Sequence, residues 1–74
     1  MHEVDTAALR WYMDKAGIRT ILDLSDATGI NRNTLSGVLK GTVYPSSDVM
    51  GRMVSALGIP PEKAGAIFFS QKLA

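Results

Sequence analysis

The stretch Ile21-Leu-Asp-Leu-Ser-Asp-Ala-Thr-Gly29-Ile-Asn-Arg-Asn-Thr-Leu-Ser-Gly-Val-Leu-Lys40 reads as two short helices meeting at a tight turn. Thr20 has the residue type of an N-cap, and Asp23 three positions later completes an approximation to a capping box. The first helix is therefore expected over Ile21–Thr28, stopped by Gly29, which tolerates the left-handed conformation of a helix end. Asn31 is a good N-cap for the second helix, expected to run to Lys40 before Gly41. Ile30 should plug the angle between them.

Placed on a helical wheel, the second helix separates into two sides. Thr34, Leu35, Val38 and Leu39 fall on one, and Arg32, Asn33, Ser36, Gly37 and Lys40 on the other. The outer side is polar, short in the middle and basic at both ends. That suits a helix lying in a DNA major groove, where Arg and Asn can each make two hydrogen bonds to a guanine or adenine edge. The small Ser36 and Gly37 would let the backbone come close to the bases. A solvated face of any small bundle looks similar on the wheel, so these residues by themselves leave both readings open.

Working outward, Gly17, Gly29, Gly41, Pro45, Gly58 and Pro60-Pro61 punctuate the chain, and five helical segments fall between them. The first is expected over 6–16, with Asp5 as N-cap and Leu9, Tyr12, Met13 and Ala16 as its apolar stripe. Trp11 lies off that stripe on the side of Lys15, either covering the C-terminal segment or sitting in a dimer contact. The fourth opens at Ser46 or Ser47 and turns Met50, Met53, Val54 and Leu57 inward. The fifth opens on Pro60-Pro61, with Pro61 suited to a first helical position, and runs into Ile67-Phe68-Phe69. Residues 70–74 read as a loose tail. No run alternates with period two for long enough to make a strand, so the class is all-α, one compact five-helix domain over 1–74.

Composition narrows the chemistry. The chain has 74 residues, no cysteine and one histidine, His2, near the terminus, so a thiolate metal site or a disulfide framework is out of reach. With 46% hydrophobic residues, packing alone must hold it. No apolar stretch approaches the roughly 20 residues of a membrane span, and the N-terminus has neither the basic start nor the apolar core of a secretory signal. The chain reads as cytoplasmic, with no metal, cofactor or small-molecule ligand expected. Catalysis is not expected either, since the serines lack a base and the carboxylates stand at helix starts. Net charge is only +1, but its distribution is uneven. Asp26 is the last acid before a gap and Asp48 the first after it, with Arg32 and Lys40 between them.

Leu24, Ala27, Gly29, Ile30, Thr34-Leu35-Ser36, Val38-Leu39 and Gly41, followed by Pro45, Ser46 and Ala56-Leu57-Gly58-Ile59, resemble the Cro/CI-type helix-turn-helix family, the lambda-repressor-like domains. The resemblance covers roughly residues 9–68 and places the helix-turn-helix at about 20–40. It implies that the third helix reads bases, with Arg32, Asn33 and Ser36 at the base-reading positions and Gly37 beside them. The start of the second helix and the loop after the third would grip phosphates, here Arg19, Thr20, Lys40 and Thr42, with Tyr44 nearby. The Tyr44 hydroxyl is expected either on a phosphate or in water. Ser25 stands where the family usually has Ala, so its hydroxyl must bond back to a carbonyl or slightly distort the helix.

The partner so implied is double-stranded DNA carrying an operator. A single helix-turn-helix touches only a half-site, so a homodimer on DNA is one expectation. The length leaves no room for a sensor domain, which favours a free-standing Cro-like repressor of phage or prophage origin. The alternative is an antitoxin-type interaction module that binds a toxin and regulates its own gene, with Trp11, Phe68 and Phe69 either forming its contact patch or buried in the core or a dimer.

Overall fold

A computed structural model describes residues 2–71, without the side chains of His2, Ser70 and Gln71. Its helices are α1 (Thr6–Lys15), α2 (Ile21–Thr28), α3 (Arg32–Lys40), α4 (Ser47–Leu57) and α5 (Pro61–Phe68). Four of the five begin on a side-chain cap. Asp5 Oδ1 accepts from Ala8 N–H at 3.0 Å, Thr20 Oγ1 from Asp23 N–H at 3.0 Å, Asn31 Oδ1 from Asn33 N–H at 2.7 Å and Ser46 Oγ from Val49 N–H at 3.3 Å. Each satisfies one of the donors that a helix start leaves without an intrahelical partner. The fifth helix instead opens on Pro60 and Pro61, where the missing N–H costs nothing.

The apolar stripes meet in one core. Leu9 and Met13 of α1, Leu24 of α2, Leu35, Val38 and Leu39 of α3, Met53 and Leu57 of α4, and Ile67 and Phe68 of α5 are buried together, joined by Ile30 and Ile59 from the turns. Helix α2 packs against α3 and α4, while α1 lies against α3, α4 and α5. Each fully buried Leu or Val contributes roughly 1.5–3 kcal/mol, and with no cysteine in the chain this burial is the main stabilising term.

Three expectations change. The ends of the chain are tied together: His2–Glu3 and Ser70–Gln71 form a two-residue antiparallel ladder, β1 and β2, pairing His2 with Gln71 and Glu3 with Ser70. The sequence reading leaves 70–74 as a loose tail. A two-residue ladder carries no periodicity to read, and it forms because α1 packs on α5 and brings the ends side by side. The rest of that tail, 72–74, lies outside the described residues. Trp11, the second, is 55% exposed. Its ring meets Tyr12 edge-on with centroids 4.8 Å apart, and Lys15 Nζ sits 5.2 Å from its centroid. Ala16, expected on the α1 stripe, is also exposed.

Candidate nucleic-acid interface

The turn between α2 and α3 is held from several sides. Gly29 ends α2 in the left-handed region, with φ 73°, a conformation that costs a residue with a Cβ. The next residue, Ile30, buries its side chain, and side chains of α2 take both of its backbone polar groups. Ser25 Oγ–H donates to Ile30 C=O at 2.6 Å, and Ile30 N–H donates to Thr28 Oγ1 at 3.2 Å. Thr28 Oγ1–H in turn donates to Leu24 C=O at 2.7 Å. So the Ser25 hydroxyl does find a carbonyl, but ahead of it across the turn. Arg52 of α4 adds a brace that sequence reasoning missed. Its guanidinium donates to Thr28 C=O at 3.3 Å and pairs with Asp48 Oδ2 at 3.0 Å. The Asp48/Arg52 spacing of four was the available signal for that pair.

With the turn fixed, the faces of α3 are fixed. Leu35, Val38 and Leu39 are buried, and Thr34 is half-buried. Arg32 and Asn33 leave the first turn of the helix fully on the outside, and neither side chain is bonded to another described residue. Ser36, one turn on, is half-buried, and Lys40 is exposed at the far end.

Gly37 has a packing role with no signal in the local sequence, because the following loop folds back over it. A Cβ at this position would lie 2.5 Å from Val43 Cγ2 and 2.9 Å from Val43 Cβ. The Gly37 carbonyl also accepts from Thr42 N–H at 2.9 Å and Val43 N–H at 3.1 Å. The loop returns onto this residue, so packing at Val43 by itself already requires glycine here.

The phosphate candidates divide likewise. Thr20 accepts its capping bond through oxygen, which leaves the hydroxyl proton for an outside acceptor. Arg19, exposed just before it, lines a shallow depression with Arg10 and Asp14. Thr42 Oγ1–H reaches Gly37 C=O at 3.3 Å, a long bond that a phosphate oxygen could replace. Tyr44 is different. Its hydroxyl donates to Phe68 C=O at 2.6 Å, so its one proton is already engaged in the DNA-free chain and a phosphate would have to displace that bond. Lys40, Gly41, Thr42, Val43 and Tyr44 line a cleft of about 430 Å³ together with Glu3, Val4 and Thr6.

Among the described residues no helix is long and apolar enough to cross a membrane, and no cluster of His, Cys, Asp or Glu could hold a metal ion. A family model described as helix-turn-helix matches residues 9–63. No curated protein matches the chain, and no solved structure does.

Proposed function

The chain belongs to the Cro/CI-type helix-turn-helix family of DNA-binding transcription regulators, and from that premise we propose that it is a Cro-like repressor that occludes a promoter by occupying an operator. Helix α3 lies in the major groove with its N-terminal turn toward the bases. Arg32 reads a guanine edge, Asn33 an adenine edge, and Ser36 stands one turn behind them. Lys40 and Thr42 after the helix, and Arg19 and Thr20 before α2, hold phosphates and set the register. Two copies on a symmetric operator would supply the affinity that one half-site lacks.

The observation that carries this reading is the pair Arg32 and Asn33. Both are exposed on the first turn of a helix whose opposite face buries Leu35, Val38 and Leu39, and the turn before them is locked by Ser25, Thr28 and Arg52. Two side chains able to make paired hydrogen bonds, carried on a helix start whose backbone is held in place, suit base reading.

Selection of bound duplexes from a random DNA pool tests it. A palindromic motif with a guanine or adenine at the contacted positions is expected. A chain that retains no duplex above background, or retains all sequences alike, would sink the proposal.

The exposed Trp11 indole supports a second reading, in which α1 docks a protein partner such as a toxin. Co-purification of one partner that Trp11→Ala releases, with DNA binding intact, would favour it.

A further inference from the structure

Between Asp26 and Asp48 the chain carries Arg32 and Lys40 and no acid, yet the fold brings one back. Glu3 lines the same cleft as Lys40 and Thr42. Backbone anchors on either side hold it there. Glu3 pairs with Ser70 in the β1–β2 ladder, and two residues on, Asp5 N–H donates to Ile67 C=O at 2.7 Å. Among the described residues the only ion pair is Arg52–Asp48, so Glu3 and Lys40 share the cleft without direct contact.

We propose that Glu3 limits the strength of DNA binding, its carboxylate repelling the phosphate that Lys40 and Thr42 engage. This rests on the DNA-binding reading above. Across a solvated cleft, one such repulsion changes an equilibrium roughly two- to five-fold at low salt, and a Debye length of about 8 Å at physiological ionic strength confines it to the nearest phosphates. In a chain of net charge +1, a single carboxylate at the phosphate grip is a large fraction of the electrostatic balance. Phosphate attraction carries no sequence information, so weakening it leaves more of the binding to the base contacts.

Glu3→Gln keeps the backbone ladder and nearly the same side-chain volume. Its affinity for a random duplex and for the selected site is measured across a salt series in the full chain. Glu62→Gln, in the first turn of α5 and outside the cleft, removes the same charge elsewhere. The expected result is a two- to five-fold tightening on both DNAs for Glu3→Gln at low salt, shrinking as salt rises. Glu62→Gln should give less than half that gain, with both variants melting as the parent does. Equal gains from the two variants mean that net charge alone acts, which overturns the local assignment. No gain from Glu3→Gln, in a parent that binds DNA, overturns it too and leaves the DNA reading standing. A parent that binds neither duplex overturns the function and this inference together.

Discussion

The Tyr44 hydroxyl donates to the carbonyl of Phe68 at 2.6 Å, joining the loop after α3 to the end of α5 across 24 residues. Helix α5 ends at Phe69 without a glycine, in a conformation of φ −121°, ψ 30°. Its last carbonyls therefore need donors from elsewhere. Asp5 N–H serves Ile67, and Tyr44 serves Phe68.

Tyr44→Phe keeps the ring and deletes this donor, leaving a partly buried acceptor unserved. The expected cost is about 1 kcal/mol, a fall in melting temperature of roughly 4–8 °C for a domain of this size. Because the Tyr44 proton is engaged by Phe68 C=O, the log–log salt slope of DNA binding should match that of the parent. A shallower slope with unchanged melting would place Tyr44 among the phosphate contacts.

Gly37→Ala sets two effects against each other. Alanine is favoured over glycine inside a helix by about 1 kcal/mol, but its Cβ would stand 2.5 Å from Val43 Cγ2 and 2.9 Å from Val43 Cβ. Since Val43 Cβ cannot rotate away, the loop carrying Thr42 must move, and overpacking of this kind typically costs about 1–3 kcal/mol. Thermal melting should show Gly37→Ala less stable than the parent. Adding Val43→Ala should recover part of the loss, because the Cγ2 contact goes while the Val43 Cβ contact stays. A more stable single variant would mean the loop does not rest on Gly37.

Arg32→Ala distinguishes base reading from a solvated helix face. On the selected site it should cost about 1–3 kcal/mol of binding and relax preference at one base position. Stability should change by no more than about 0.5 kcal/mol, since the side chain is exposed and unbonded. Titrations on the selected site and on a single-base variant, with one melting curve, decide the matter. Parental binding to both DNAs would place the reading face elsewhere.

Lys40→Ala should weaken the selected site and random duplex about equally, because a phosphate contact carries no sequence information. The magnitude of its log–log salt slope should drop by about one. A loss confined to the selected site would make Lys40 a base contact instead.

Much of this was readable from residue order. Asp5, Thr20, Asn31 and Ser46 announced four helix starts, and Gly29 and Gly41 the ends of the two helices that matter most, because caps and left-handed stops are local chemistry. The core positions Leu9, Met13, Leu35, Leu39, Met53 and Leu57 followed from helical spacing and are buried as that spacing requires. The exposed pair Arg32 and Asn33 was legible for the same reason, since the wheel that buries Leu35 and Val38 turns them outward.

What the sequence determined by itself, then, was everything a residue decides with neighbours three or four positions away: helix bounds, the inward stripes and the outer face of α3. Contacts between distant segments belong to the tertiary structure. The loop at Val43 comes back over Gly37, and α5 presents a carbonyl to Tyr44. Arg52 bracing the turn and Glu3 entering an acid-free basic stretch likewise have no local signature. Each depends on where whole helices pack, and burial of the shared core, not any spacing along the chain, sets those positions.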